Sequence, residues 1–399
     1  MESDSDPQPN DQQVAAIGLG TNQGGMRNHN ERVVLTLLRR HANLAKADIA
    51  RRTGLSAQTV ARLIGSLEAD GLIIRGTPVR GRIGQPSVPL SLDPSGVVFL
   101  GMKVGRRSVE MVAIDFLGKI IDREKQVYDY PDFNQVLQFA KSSSEELRRR
   151  LSPHQKSRIA GLGIAMPFFL WNWAAHLGVD AKLMANWEHR NLQSEIANEL
   201  GMPVFLQNDA TSTCSAEMVF GEKPLPTDAL CVFIAFFIGG GLTLGNSLHT
   251  GANGNAAGLG TLRVPDINGV SRPLIELASL ATLERTLLQD GFDPRQMWID
   301  PENWDLPDHL VAAWTEQCAH ALAHAVQSVQ SILDLQLVLI DGWMPRALCK
   351  KLTERIAEIF VDLDMTGMQR PAIATGTLGA DARVIGAASL PLSHRYLVQ

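Results

Sequence analysis

Apolar residues recur with helical spacing in the first quarter of the chain. In ERVVLTLLRRHA, Val34, Leu37, Leu38 and His41 fall at i, i+3, i+4 and i+7, which predicts one helix. A short second helix follows, with Ala47, Ile49 and Ala50 at its apolar positions. Thr53-Gly54-Leu55 reads as a tight turn, because glycine enters positive φ without a steric penalty. Ser56 then fits an N-cap, its hydroxyl accepting from a free amide of the first turn. Val60, Leu63, Ile64 and Leu67 repeat the helical stripe, and Gly71 ends the helix. Two helices joined by a short glycine turn make a helix-turn-helix. LIIRGTPVRGRIGQPSVPLSL reads as a strand, a basic turn and a returning strand, which together form a wing.

From Pro94 the pattern switches. Short β-rich runs (VVFLGMKV, VEMVAIDF, IAGLGIAM, PVFLQND) alternate with the helical FNQVLQFAKSSSEELRRRL and NLQSEIANEL. A second series follows: ALCVFIAFFIGGGLTLG, helices after Pro273, LQLVLIDG and a closing GADARVIGAASL. Such alternation predicts an α/β sheet protein. Its repetition predicts two similar lobes with a cleft between them, the default ligand site. FLGMKVGRRSVEMVAIDFLGKII reads as a hairpin whose first strand ends in Gly105-Arg106-Arg107, with Gly118 at a tight turn. The expected organisation is a disordered acidic tail over 1–28, a winged helix-turn-helix over 29–92 and a two-lobed body over 93–399. Within the body, lobe 1 spans about 93–210 plus a C-terminal helix, and lobe 2 about 211–380.

Charge sharpens the reading of the first module. The chain of 399 residues has a net charge of −5, but residues 27–90 hold eleven Lys/Arg against four Asp/Glu, a net +7. A basic module on an acidic body points to a polyanionic partner. Ser56, Gln58, Thr59 and Arg62 on the outer face of the second helix suit phosphate and base-edge contacts to double-stranded DNA. Arg80 and Arg82 at the wing tip suit a minor groove or a phosphate. The alternative is a protein-binding module whose arginines form a solvated face; spacing, cap, wing and charge together favour DNA. No apolar run reaches the ~20 residues of a membrane helix. The start, MESDSDPQPNDQQ, lacks the basic and apolar regions of a secretory signal, so a cytoplasmic location is expected. Cys214, Cys231, Cys318 and Cys349 are far apart and read as buried free thiols.

The order and spacing of several motifs resemble the ROK family of repressors and sugar kinases, in its transcription-regulator branch of the N-acetylglucosamine and xylose repressor type. The carrying stretches are GLSAQTVARLIGSLEADGLI, GRIGQPSVPLSLDP, GLGIAMP, QNDATSTCSAEMVFG, GGGLTLGNSLHTGANGNAAGLG and GADARVIGAASLP, together with the hairpin at Phe99. The resemblance covers nearly all of residues 29–395. It implies an actin/hexokinase-like (ribonuclease H-like) body behind the winged helix. It further implies a DNA-binding regulator, a repressor controlled by a small effector, possibly a carbohydrate, and acting as a homodimer or homotetramer. A ROK sugar kinase with an appended DNA-binding domain is the alternative.

The same resemblance implies which residues meet the effector. Asp209 matches the family's catalytic base and Asn208 a sugar-binding amide, while Asp209 also fits the role of a helix cap. Asn186 lies where the family has a sugar-contacting Asn, beside Trp187 and near the aromatic run Phe168, Phe169, Trp171 and Trp173. Three departures argue against catalysis. Lys103 stands where a kinase has the acidic residue of its first phosphate loop, and Arg106 and Arg107 replace small residues there. A Lys does not bind Mg²⁺. These three cations read either as hairpin surface or as an anion site. Gly258 and Thr261 replace the family's sugar-binding Glu and zinc-linking His. LRVPDINGVSRPLIELAS holds no cysteine, so the family's structural zinc has no ligand set here. No metal, no cofactor and no enzymatic activity are expected.

Overall fold

A computed structural model describes residues 23–78 and 88–398. The N-terminal module comprises α1 (Gln23–Arg40), α2 (Lys46–Thr53) and α3 (Ala57–Ala69). The antiparallel pair β1 (Ile73–Arg75) and β2 (Leu90–Leu92) forms the stem of the wing. α1 starts inside the stretch read as a tail over 1–28, so the tail reading fails for residues 23–28; residues 1–22 lie outside the described residues. Val34 and Leu38 are buried as the stripe requires, and so is Leu35. His41 is exposed beyond the end of α1, with Nε2 3.4 Å from Arg52 Nη1. All four stripe residues of α3 are buried.

The body holds two sheets built on one plan. In lobe 1, β3 (Val98–Val104), β4 (Ser108–Ile114) and β5 (Ile120–Val127) run antiparallel. β6 (Ile159–Met166) and β7 (Val204–Asn208) add in parallel on the other side of β3. In lobe 2, β8 (Ala229–Ile234), β9 (Ile238–Leu244) and β10 (Ser247–His249) repeat the antiparallel set. A small hairpin of β11 (Arg263–Pro265) and β12 (Ser271–Pro273) comes next. β13 (Leu337–Gly342) and β14 (Ala372–Thr375) then complete the lobe 2 sheet in parallel. The strand orders β5-β4-β3-β6-β7 and β10-β9-β8-β13-β14 are therefore equivalent, as the repeated sequence pattern predicts.

Lobe 1 carries α4 (Phe133–Arg150), α5 (Pro153–Ser157), the short α6 (Ala174–Leu177), α7 (Ala181–Met184) and α8 (Asn186–His189), and α9 (Leu192–Leu200). α10 (Asp209–Phe220) leaves the end of β7 and leads into lobe 2. Lobe 2 carries α11 (Leu280–Gln289), α12 (Arg295–Ile299), α13 (Asp308–Leu333) and α14 (Arg346–Asp362). α15 (Ala382–Tyr396) returns to pack on β3, β4 and β6 of lobe 1 and against α10. The two helices approach closely at Gly386, where a Cβ would lie 2.0 Å from the Ser212 carbonyl oxygen. Ser215 and Ser389 share a hydrogen bond of 2.9 Å across the same contact.

The core of the winged helix continues into lobe 1. Ile49, Leu63 and Leu92 belong to one apolar cluster with Phe99, Phe116 and Leu392. The rings of Phe99, Phe116 and Tyr396 meet with centroids 5.5 to 6.2 Å apart. Val398 N–H, just past α15, donates to Thr36 Oγ1 on α1 at 3.1 Å. Gly118 turns β4 into β5 at φ +94°, and a Cβ there would meet the Phe220 ring at 2.4 Å. Packing of this kind removes apolar surface from water at roughly 25 cal/mol per Å² and ties the module to the body without a free linker.

Candidate functional site: recognition helix and interlobe cleft

Ser56 has extended backbone and caps α3, its hydroxyl accepting from Thr59 N–H at 3.1 Å. Gly54 before it is left-handed, with φ +70°. The stripe of α3 faces inward, which leaves Ser56, Gln58 and Arg62 exposed and Thr59 half-buried at the N-terminal half of the helix. Helix N-terminal amides with short polar groups and one long cation form a surface that phosphate and base edges fit. Arg80 and Arg82 lie outside the described residues. The basic count of the module is partly internal. Arg39 donates to the Phe116 carbonyl at 2.5 Å and sits over the Phe116 and Phe220 rings, each 5.2 Å away. Burial pushes its pKa down to about 10. Arg51 pairs with Asp48 at 2.5 Å, and Arg75 pairs with Glu68. Arg39 thus struts α1 against the body and adds nothing to a DNA-facing surface.

The β3–β4 turn is the second place where side chains collect. Lys103 and Arg106 are buried, at 1% and 9% exposure, which corrects the reading of this turn as hairpin surface. The reason is tertiary: aromatic groups from lobe 2 cover it. Lys103 Nζ lies 4.5 Å from the Trp343 ring, donates to Ser108 Oγ at 3.1 Å and pairs with Glu110 at 3.5 Å. Burial, with Arg383 nearby, pushes the Lys103 ammonium down to about 7. The Arg106 guanidinium lies between Trp173 at 4.7 Å and Phe237 at 4.5 Å, and burial lowers its pKa to about 10. Arg107 reaches lobe 2, pairing with Glu284 at 2.7 Å over the Phe236 ring. Glu284 also accepts from Trp298 Nε1 at 2.6 Å. Lys125 on β5 donates to the carbonyls of Trp298 and Ile299 at 3.2 and 2.9 Å. Cations of lobe 1 and rings of lobe 2 therefore close this end of the cleft.

Asn208 and Asp209 stand side by side where β7 becomes α10. Asn208, not Asp209, is the cap: its Oδ1 accepts from Ala210 N–H at 3.0 Å and Thr211 N–H at 3.2 Å. Its amide nitrogen donates to Asn255 Oδ1 in lobe 2 at 3.1 Å. Asp209 is the first helical residue, and its carboxylate lies 3.4 Å from Arg383 Nη1 at the start of α15. Asn186 is exposed at the start of α8. Its neighbour Trp187 is core, packed on Phe133 at 4.9 Å and donating to the Pro131 carbonyl at 2.8 Å. The aromatic run divides. Trp173 faces Phe237 in the cleft at 4.7 Å, while Phe169 is exposed against Trp171. Sequence periodicity missed Arg383, whose only local signal is its place in the closing GADARVIGAASL stretch.

In the stretch that lacks the zinc ligands implied for the family, β11 and β12 form a hairpin turned by Asp266. Its Oδ1 accepts from Asn268 and Val270 N–H, each at 2.9 Å, and its Oδ2 accepts from Arg272 Nε at 3.2 Å. These bonds to the charged form hold the Asp266 carboxyl below its ordinary value. Among the described residues, no three His, Cys, Asp or Glu side chains gather as a metal site.

Comparison with known proteins decides the family. The ROK family matches residues 99–393, and a winged helix-turn-helix DNA-binding family matches residues 27–74. The chain belongs to the ROK family. The xylose repressor of Caldicellulosiruptor bescii is 21% identical to this ROK chain, over 78% of it and 82% of the repressor. A solved ROK family transcriptional regulator, a homolog of the E. coli MLC protein, has a TM-score of 0.67 at 19% identity. The match covers 92% of this chain and 96% of that one. A ROK glucokinase from Streptomyces griseus, solved with glucose and AMPPNP, has a TM-score of 0.57 at 19% identity, over 73% of this chain and 98% of its own. The ROK body thus shares its fold with a regulator and with a kinase, so the reading of its function rests on this chain's own side chains.

Proposed function

We propose that this ROK chain is a DNA-binding transcriptional repressor whose body takes a small sugar-like effector in the interlobe cleft. One observation carries the reading most: a capped recognition helix with exposed Ser56, Gln58 and Arg62 stands on a winged module whose core runs into lobe 1. The chain acts without phosphoryl transfer. A kinase needs an acidic residue beside Mg²⁺-bound phosphate, and here Lys103 fills that place under Trp343. Asp209, at the place of the kinase base, is engaged in an ion pair with Arg383 at 3.4 Å. The repressor works as a homodimer or homotetramer that sets two recognition helices on two half-sites.

The geometry supports a route from effector to DNA. α10 begins at Asn208 and Asp209 in the cleft and ends at Phe220, against Arg39 of α1. α15 begins beside Arg383 and ends where Val398 meets Thr36 of α1. At 1.5 Å per residue the two helices span about 18 and 22 Å. A ligand that draws the lobes together shifts both helices at their cleft ends and moves α1 at the other.

Two assays test this reading. With ATP, Mg²⁺ and a panel of hexoses and pentoses, the full chain is expected to form no sugar phosphate. Turnover abolished by Asp209→Asn would establish the kinase alternative. In fluorescence anisotropy with its selected duplex, Arg62→Ala is expected to weaken binding by about 1–3 kcal/mol. Unchanged affinity would remove Arg62 from the interface.

A further inference from the structure

Arg106 and Arg383 both lie in the field of Asp209, but only Arg383 pairs with it. Arg383 Nη1 lies 3.4 Å from Asp209 Oδ2, and Asp209 is also the carboxylate that acts on Arg106. Both arginines are more than nine-tenths buried, and in both the Nε–H has no hydrogen-bond partner. The rings of Trp173 and Phe237 give Arg106 two faces but no acceptor. A buried donor left unmade is costly, the more so on a charged group.

Lys103 adds a third buried cation to the same place. A Cβ built on Gly105 would lie 3.1 Å from the Ser108 carbonyl oxygen and 3.9 Å from both Arg383 Nη1 and Lys103 Cε, so these two side chains reach the same turn. The carboxylates in contact are Asp209 and Glu110; Glu110 also pairs at 2.9 Å with Arg123, which has a second partner in Asp381 at 2.7 Å. With Lys103 protonated, three buried cations face two buried carboxylates, and the two unpartnered guanidinium N–H groups are donors that an anion can use.

We infer that the cleft holds an oxyanion, a carboxylate or phosphate carried on a small hydroxylated molecule, with Arg106 and Arg383 as its ligands and Lys103 as the flanking charge. Arginine's planar fork suits either group, since both present oxygens in matching geometry. The inference rests on the reading of the cleft as the effector site and names the chemical class that site takes. An anion here would fix the β3–β4 turn to the start of α15, the helix that ends on α1.

The test is calorimetry and thermal unfolding on the full chain with D-glucuronate, D-glucose 6-phosphate, D-glucose and D-xylose. At least one anionic probe is expected to bind and raise the unfolding midpoint, and both neutral sugars to bind at least about tenfold more weakly than it. Tighter binding of glucuronate assigns a carboxylate, and tighter binding of glucose 6-phosphate a phosphate. Arg106→Gln is expected to weaken the preferred probe by about tenfold or more. Arg106→Lys keeps the charge and loses the fork, so a loss of at least about threefold is expected if Arg106→Gln does not fold. The inference is overturned if neither anionic probe binds, or if affinity is unchanged in the variants. The assay contains no DNA, so its failure leaves the regulator reading standing; absence of DNA binding would fail that reading separately.

Discussion

Lys103 sits beneath the Trp343 ring with an ammonium pushed by burial from 10.5 down to about 7. From about pH 7 up to its ordinary value, the unfolded chain binds a proton that the folded chain has lost. Stability contributed by this site therefore rises with pH across that window. Below pH 7 both states are protonated, and the full cost of burying the charge is present and constant. Lys103→Met has no such proton. Urea unfolding at pH 6, 7.5 and 9 should show the wild type gaining stability relative to Lys103→Met between pH 7 and 9, with no change below 7. A difference that stays flat over the upper range would mean that Lys103 remains charged in the fold. Single residues also divide by how far their reasons lie along the chain. Ser56 and the stripe Val60, Leu63, Ile64 and Leu67 are legible because cap and stripe are local. Lys103 and Arg106 read as surface because Trp343 and Phe237, which bury them, come far later in sequence. Asp209 and Asn208 are equally good caps by chemistry; only the backbone, extended at Asn208, separates them.

At the scale of elements, the turn between β4 and β5 and the pair α10–α15 join the winged helix to the cleft. Gly118 is held at φ +94° with the Phe220 ring where a Cβ would go, and Phe220 also touches Arg39 of α1. Gly118→Ala is expected to destabilise the chain by about 1–3 kcal/mol, from positive φ and overpacking together. Differential scanning calorimetry reads this as a midpoint lower by several degrees. An unchanged midpoint would show that Phe220 swings aside freely and that this contact does not hold the module. Strands were legible from short apolar runs, and the two equivalent sheets from the repetition of those runs. The short helices between Ala174 and His189 were not, because their aromatic residues split between core and cleft with no periodicity to separate them.

Across the whole molecule, the seam between α1 and the body combines firm contacts with unfilled volume. A cavity of about 690 Å³ lies between Arg32, Asp70 and Tyr396, and one of about 600 Å³ lies between Arg40, Lys223 and Leu397. On the proposed route from effector to DNA, the apolar contacts would carry a shift of α10 and α15 to the winged helix, and the cavities would give α1 room to follow it. Effector and DNA affinities are then coupled, and the coupling is reciprocal. As a DNA-binding repressor, the chain would hold its operator through phosphate and base contacts of the winged module. The most direct measurement selects duplexes from a randomised pool with the full chain, then follows the affinity of the selected duplex as salt rises. An inverted repeat is predicted, with log K falling against log salt at a slope of about −4 or steeper. No enriched sequence and a slope near zero would contradict it.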